Sequence, residues 1–402
     1  MISGQTSLTT GLLQDPRTYA LLLASTLTVL AVATISPALA GLEARFQHEP
    51  NAALLTRLLV PAPSLSVALL APFIGAAADR YGKVRVLIGG VCLFAISGSA
   101  GFFLDSLAQI LASRLVLGIA VAMIMTSYTA LIGDCFEGDR RMVVMGWQVS
   151  ARNFGGFIFI SVGGLLAAMS PQLPFLIYGV AALFIPVIWF AFRDQETDQS
   201  SDRVGVKQTK EAAGWLLPVI GLSALVCLTV VMFFQMPTQV PFFTAFLGLE
   251  SVSTTAYAMG ALTLTGGLVA LWNGWLKRQL GRSGMFALGY AVMATGFAIL
   301  AFNTDLGPIV IGASVIGAGF AVLMPAYSDL LLQIVPASRR GAASGALATG
   351  AFLGQFISPL ISLPVVSVFG YANAFLGSAA FLASMSAGAL FGRIVLRRPA
   401  VA

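Results

Sequence analysis

The sequence has little charge, one histidine and three cysteines. Charged residues make up 9% of its 402 residues and hydrophobic residues 58%, whereas a soluble domain carries about 25% charged residues. His48 stands alone, and the three cysteines have no metal-ligand spacing and are not expected to share an oxidising compartment in which a disulfide could form. The clustered nucleophiles, bases or metal ligands of an enzyme are therefore lacking, and we expect no bound cofactor.

Long polar stretches are also rare, and apolar runs fill most of the chain. A run of about 20 apolar residues crosses a hydrocarbon core of about 30 Å as a helix, and helix is favoured because lipid cannot satisfy open backbone groups. The sequence therefore predicts an all-α membrane protein with twelve transmembrane helices. The predicted spans are 18–40, 54–78, 84–104, 107–133, 142–168, 173–192, 214–236, 253–276, 285–303, 307–334, 342–368 and 371–395.

The net charge of +6 does not indicate nucleic-acid binding, because the cations are confined to particular loops. Of the 22 lysines and arginines, all but Arg45, Arg57, Arg114 and Arg152 fall in the amino-terminal segment, alternate loops, a central polar stretch or the carboxyl tail. Loops that stay in the cytoplasm carry such an excess of lysine and arginine. Both termini and the central stretch are therefore predicted to be cytoplasmic.

An offset of 199 residues relates the two halves of the chain. The segment GAAADRYGK at 75–83 has a degraded copy, GWLKRQLGR, at 274–282. The same offset relates further positions: Tyr128 to Tyr327, Arg140 to Arg339, Gly146 to Gly345 and Gly155 to Gly354. The sequence predicts two pseudo-symmetric six-helix bundles, 1–192 and 214–402, joined by a cytoplasmic linker at 193–213.

The loop at 75–83 resembles the G-x-x-x-D-R-x-G-R signature of the major facilitator superfamily. Gly75, Asp79, Arg80 and Gly82 match, and Lys83 stands where arginine is usual. The resemblance extends over essentially the whole chain, and the segment 335–359 is similar to the junction of spans 10 and 11 in drug-efflux-like members. It implies a secondary transporter of the bacterial inner membrane, a monomer surrounded by lipid, that uses an ion gradient, with protons expected, to move a small molecule.

The resemblance also implies a latch on the cytoplasmic side, made of Gly75, Asp79, Arg80, Gly82, Lys83 and Asp134. Asp79 is expected to accept hydrogen bonds from the amino-terminal amides of span 11, because a carboxylate is stabilised at a helix N-terminus. Lys83 is expected to pair with Asp134 at the end of span 4. The alternative is that these charges only set the topology.

Two charged residues lie deep in predicted spans and lack a charged counterpart in the other repeat. Arg152 lies in span 5, and its counterpart is Ala351; Asp329 lies in span 10, and its counterpart is Ala130. A charge inside the membrane is costly unless it faces water or a partner, and it marks a functional site by default. We expect Arg152 to contact substrate or to form a structural salt bridge. We expect Asp329 to carry protons, hydrogen-bonded by Tyr327, or to form a fixed ion pair.

Further candidates are polar residues inside spans. Arg114 and Gly118 match the span-4 pattern that the family links to proton-coupled members, so Arg114 is expected to act in coupling or gating, or else to snorkel from a shallow position. Gln235, Gln239 and Asn273 are expected to hydrogen-bond a substrate. Of the antiporter signature of span 5, Gly163 and Gly164 match.

The favoured function is proton-coupled export of a small amphipathic compound by alternating access. The alternative is transport of an organic anion such as a siderophore or a metabolite, because Arg114 and Arg152 against Asp329 leave the interior positive. A channel would not need two halves with a latch between them, and saturable, gradient-dependent flux separates the two classes. The absence of a nucleotide-binding loop argues against ATP hydrolysis.

Overall fold

The computed structural model describes residues 12, 14–193, 215–249, 252–336 and 340–396, and in these ranges all regular structure is helical. The predicted linker 193–213 lies outside them apart from Arg193, and so do both chain ends. The chain divides into two compact units, Met1–Glu211 and Ala212–Ala402.

The first unit consists of long helices interrupted by two 3₁₀ segments. A proline at the first helical position and the Asp15 side chain, which accepts a hydrogen bond from the Arg17 amide at 2.9 Å, start the first helix. The α-helices are α1 (Pro16–Ala33), α2 (Leu39–Arg45), α3 (Ala52–Leu58), α4 (Ala62–Tyr81), α5 (Lys83–Ala100), α6 (Leu107–Cys135), α7 (Gly138–Met169) and α8 (Phe184–Phe192). The 3₁₀ segments are Ser36–Ala38 and Leu173–Leu183.

The second unit is built from fewer and longer elements. Its helices are α9 (Leu216–Phe233), α10 (Gln235–Phe246), α11 (Val252–Ala270), α12 (Asn273–Phe302), α13 (Leu306–Ile334) and α14 (Arg340–Leu396). α12 and α14 each contain one residue with non-helical backbone angles, Gly281 and Gly370 respectively.

Nine helices in the described ranges are long and apolar enough to cross a membrane, or ten if Ala52–Leu58 and Ala62–Ala71, bent by 51°, form one broken span. The prediction of twelve separate helices is therefore met only in part. α11, predicted as 253–276, is not among the nine. The predicted spans 342–368 and 371–395 form the single 57-residue segment α14, which bends at Gly370. Straight, it would be about 85 Å long, well beyond a bilayer core of about 30 Å. Twelve crossings and two six-helix bundles stay predictions.

The backbone repeats at the same offset as the sequence. Gly82 and Gly281 both have positive φ, 98° and 67°, a conformation that favours glycine because it lacks Cβ. The first long helix of each unit is also interrupted at matching positions. α1 gives way to a 3₁₀ turn after Ile35, and Phe234 separates α9 from α10. The two units thus share their turns and breaks as well as their residues.

Small residues set the distance between the first and fifth predicted spans of each unit. A Cβ added to Gly155 would lie 3.0 Å from the Thr26 side chain of α1, and one added to Gly354 would lie 2.5 Å from the Cys227 carbonyl oxygen of α9. Glycine lets membrane helices approach closely enough for van der Waals contact to hold them. The glycines at 155 and 354, which the offset relates, therefore make equivalent helix contacts.

Candidate functional site

The charged loop between α4 and α5 contains the ion pair that the sequence predicted. Gly82 turns the chain sharply, and Lys83 Nζ then lies 2.6 Å from Asp134 Oδ2 at the end of α6. The two side chains are 22% and 48% exposed. Because exposed ion pairs contribute about 0–1 kcal/mol, this one joins two helix ends without fixing them strongly.

The other residues of this loop are accessible. Asp79 and Arg80 are exposed, and the Arg80 guanidinium lies 5.5 Å from the centre of the Tyr81 ring. A Cβ added to Gly75 would meet no described atom within 4 Å, so local packing does not require glycine there. The partner predicted for Asp79 lies in the second unit, and the latch stays a prediction.

The second unit has an ion pair of its own near the loop at 274–282. Lys277 Nζ lies 2.6 Å from Asp329 Oδ1, and Gln333 Nε2 donates to Asp329 Oδ2 at 2.9 Å. The Asp329 side chain is 27% exposed. Asp329 is therefore not an isolated acid. Its geometry agrees with the alternative of a fixed ion pair, and its role as a proton carrier is a prediction without structural support.

Tyr327 does not hydrogen-bond Asp329, contrary to expectation. Its hydroxyl lies 2.6 Å from Thr229 Oγ1 and also contacts the Tyr290 hydroxyl, which lies 3.1 Å from the same threonine oxygen. The neighbouring Ser328 donates to the Met324 carbonyl oxygen. Thr229, Tyr290 and Tyr327 are all buried and join α9, α12 and α13. This hydroxyl cluster holds three helices of the unit together.

Arg114 is completely buried, so the alternative that it snorkels from a shallow position is wrong. Its guanidinium carbon lies 4.6 Å from the ring centre of Phe175 and 4.5 Å from that of Tyr178. Nη2 donates to the Gly98 carbonyl oxygen at 3.1 Å, while Nε and Nη1 have no partner among the described residues. Aromatic faces and one carbonyl dipole thus stabilise this cation, and a substrate does not reach it in this structure.

Arg152 has an exposed side chain on α7. It forms no hydrogen bond or ion pair with another described residue, so the structural salt bridge considered as its alternative is absent within the described chain. Among the candidates inside predicted spans, Arg152 is the exposed cation.

Gln235 and Gln239, predicted to bind substrate, are buried and join helices of the second unit. Gln235 Nε2 donates to Ser378 Oγ at 2.9 Å, and Gln239 Nε2 donates to Ser362 Oγ at 2.8 Å. Asn273 Nδ2 donates to the Ala321 carbonyl oxygen at 2.9 Å. These bonds account for donors that a substrate would otherwise use, so the geometry favours helix packing over substrate contact for all three.

Sequence reasoning missed the residues that surround the predicted ones. Phe175 and Tyr178, which face Arg114, lie in a segment that reads as a uniformly apolar span, and Thr229 and Tyr290 lack any motif. One signal was present: Gly98 near the end of α5 and Gly101 just after it lie three residues apart, and an added Cβ would collide with the rings of Tyr178 and Phe175 respectively. Paired glycines facing an aromatic span indicate such a contact.

The fold and these charged helix ends define a multi-pass membrane protein of transporter type. The sequence profile of the Major Facilitator Superfamily matches residues 21–359 and 251–401. The chain therefore belongs to this superfamily, whose members are transporters of small molecules and not enzymes.

Two curated relatives are similar over most of their length. Quinolone resistance protein NorA of Staphylococcus aureus (strain COL) is 25% identical over 318 residues, covering 76% of this chain and 79% of the relative. Tetracycline resistance protein, class B, of Escherichia coli is 22% identical over 341 residues, covering 83% and 84%.

Solved structures share the fold at lower identity. The crystal structure of a D-xylose-proton symporter has a TM-score of 0.70 at 18% identity and covers 91% of this chain and 96% of its own. The inward open conformation of the xylose transporter XylE from E. coli has a TM-score of 0.68 at 16% identity, covering 91% and 94%. At this identity the likeness shows the fold alone.

Proposed function

We propose that this protein is a proton-coupled exporter of a small amphipathic compound in the bacterial inner membrane. Membership of the superfamily gives the transporter class. Similarity to two relatives named for resistance to chemically different compounds, a quinolone and a tetracycline, supports export and a broad apolar substrate range. Alternating access between two repeated units is the mechanism that this architecture supports.

The observation that carries the proposal is an ion pair at corresponding ends of the two units. In the first unit, the pair Lys83–Asp134 joins the region after predicted span 2 to the end of span 4. In the second unit, the pair Lys277–Asp329 joins the region after predicted span 8 to the last turns of span 10. Each pair joins two helix ends within one unit, as expected of units that move as bodies in alternating access. As an exposed pair it contributes only about 0–1 kcal/mol to that unit.

Purified protein in proteoliposomes tests the function. With an imposed pH gradient we expect saturable, uphill movement of norfloxacin or tetracycline that a protonophore abolishes. Flux that does not saturate, or that ignores the gradient, would contradict a proton-coupled carrier and favour a channel or a uniporter.

The same assay addresses Asp329. If it carries the coupled proton, Asp329→Asn stops uphill movement but keeps downhill flux, because an amide cannot cycle a proton. If it acts only through its ion pair, Lys277→Gln has the same effect as Asp329→Asn, and the double variant is no worse than either single variant. The 2.6 Å contact with Lys277 leads us to expect the second result.

A further inference from the structure

Arg152 lies near the middle of the longest uninterrupted helix of the first unit. α7 has 32 residues, and Arg152 is 14 residues after its start, about 21 Å along an axis of about 48 Å. An arginine at this depth is unfavourable in lipid and persists where it reaches water or a polar partner. It has no hydrogen-bond or salt-bridge partner in the described chain. Its role therefore depends on whether its side of α7 faces lipid or water.

The helical period places Arg152 on the face of α7 that packs against α1 further along. Met145, Val149 and Arg152 share one face and are exposed. The same face continues through Gly156 and Gly163, which are buried; an added Cβ at Gly156 would lie 2.7 Å from the Val29 side chain. The contact between α7 and α1 along this face therefore ends near Arg152, and the residues of this face before it are exposed.

A second exposed face on the same helix has a different chemistry. Phe154, Ile158 and Leu165 are exposed and apolar, and they lie about 200–240° around the axis from Arg152. A continuous apolar face of this kind is what lipid contacts. The face that carries Arg152 is distinct from it, so lipid contact along α7 does not require the charge to be placed in hydrocarbon.

The fold does not need a cation here. The counterpart of Arg152 in the second unit is Ala351, and α14 packs against α9 at this level through Gly350 and Gly354 without a charge. Stability thus does not explain the arginine, whereas ligand recognition does. A guanidinium presents a planar fork of donors that matches an oxyanion such as a carboxylate, and Met145 and Val149 offer apolar surface beside it.

We propose that Arg152 selects the charge of the substrate by pairing with an oxyanion group on an otherwise apolar molecule. This inference rests on the proposed function and narrows it to amphipathic compounds that carry a carboxylate or a similar oxyanion. It also joins the two functions drawn from the sequence, because an exporter of this kind moves an organic anion with a large apolar part.

A charge series on one apolar ring system tests this. Naphthoate, naphthamide and naphthylmethylamine carry a negative, a neutral and a positive group, and their transport by full-length protein in proteoliposomes is measured under an imposed pH gradient. We expect the wild type to have its lowest KM for naphthoate. Arg152→Gln should raise that KM by about tenfold or more, as expected for loss of a charge-assisted hydrogen bond, and leave the KM of naphthamide unchanged.

Two further variants and a control sharpen the result. Arg152→Lys keeps the charge but not the fork, so its KM for naphthoate should be intermediate; Arg152→Glu should shift preference to naphthylmethylamine. Arg140→Gln removes an exposed cation from the same helix and should leave the KM of all three probes unchanged.

The outcomes separate the inference from the function beneath it. If the wild type moves the probes with the gradient and Arg152→Gln has the wild-type KM for each of the three, Arg152 does not select charge. The proposed export function is then unaffected. If Arg152→Gln loses all three equally, the arginine has a structural role and the inference is overturned. If the wild type moves none of them, nor norfloxacin or tetracycline, the proposed function fails as well.

Discussion

Arg114 is a cation that the first unit buries without a carboxylate partner among its described residues. Two aromatic faces and one carbonyl oxygen surround it. Cation–π contacts contribute about 0.5–2 kcal/mol each, whereas desolvating an ion costs several kcal/mol. The counterpart in the second unit, Ala313, is fully buried, so an apolar residue satisfies this helix crossing. Arg114 is thus costly for stability, and we expect a functional role to account for it.

Replacing Arg114 should separate its effect on stability from its effect on transport. Arg114→Leu fills the space and removes the uncompensated charge, so we expect a melting temperature equal to or above that of the wild type. Transport should fall at least about tenfold if the cation acts in coupling or gating, as the family resemblance implies. Thermal unfolding and proteoliposome flux on the same sample measure both.

Tyr178→Phe serves as the control for this substitution. It keeps the ring under Arg114 and removes the hydroxyl, which donates to the Ala31 carbonyl oxygen at 3.2 Å. A melting temperature several degrees lower for Arg114→Leu than for Tyr178→Phe would show that the arginine is a structural link between helices, contrary to our expectation.

Residues near helix ends were easier to predict than residues inside spans. The Lys83–Asp134 pair follows from two loops on the same side of the membrane, which the sequence reveals through its charge pattern. For Gln235 the sequence predicts substrate contact. Its actual partner, Ser378, lies 143 residues away, and no local pattern indicates that partner. The face that a polar residue presents depends on the neighbouring helix, and one sequence does not specify that neighbour.

At the scale of elements, α2 and α3 form a short hairpin, residues 39–58, that is separated from the long helices on both sides. A 3₁₀ turn containing Pro37 precedes it, and a bend of 51° at 59–61 follows it. Pro37 and Pro61 lack the amide hydrogen that would continue a helix. Hydropathy predicted the spans 18–40 and 54–78 but not these breaks, because it measures apolar content and not backbone geometry.

Charged contacts hold the 39–58 hairpin in place. Arg57 is 6% exposed and donates from Nη1 to Glu43 Oε2 at 2.7 Å, and Glu49 accepts from the Leu107 amide at 3.2 Å at the start of α6. The corresponding region of the second unit has uncharged bonds, such as Thr244 to Thr255 at 3.0 Å. The first unit therefore holds this hairpin with charged contacts where the second unit uses uncharged ones.

Weakening its ion pair should loosen the hairpin alone. Glu43→Gln keeps a hydrogen-bond acceptor but removes the charge opposite Arg57, a loss of about 1–2 kcal/mol. We expect amide hydrogen exchange across 39–58 to accelerate by about tenfold, while α5 and α6 exchange as before. Arg45→Gln, which removes an exposed cation from the same helix, is the matched control. Exchange in 39–58 that equals the wild type would show that the pair does not hold the hairpin.

At the scale of the whole chain, the repeat preserves geometry and changes chemistry. Gly82 and Gly281 both have positive φ, and the helix breaks after Ile35 and at Phe234 are 199 residues apart. Arg114, Arg152 and Asp329 do not repeat. Turn and packing positions are constrained in both halves alike, because each half must fold. Charged interior positions differ between the halves, as expected if one functional group serves both.

The orientation of the chain follows from the same separation. Nearly all lysines and arginines fall in loops that are predicted to lie on one side, and each would be costly to carry across the membrane during insertion. His48 falls in a short loop predicted to lie on the other side, and Ser200 lies in the central polar stretch. Both termini and that stretch should therefore be cytoplasmic, with residue 48 outside.

Cysteine accessibility measures this directly. In a variant with Cys92, Cys135 and Cys227 replaced by serine, His48→Cys should react with a membrane-impermeant maleimide in intact spheroplasts, since residue 48 is exposed. Ser200→Cys should react only after the membrane is permeabilised. The reverse pattern would invert the orientation and place the Lys83–Asp134 pair outside, where it could not close a cytoplasmic entrance. Labelling of both positions from outside would mean an even number of crossings between them, in conflict with the five spans predicted between residues 48 and 200.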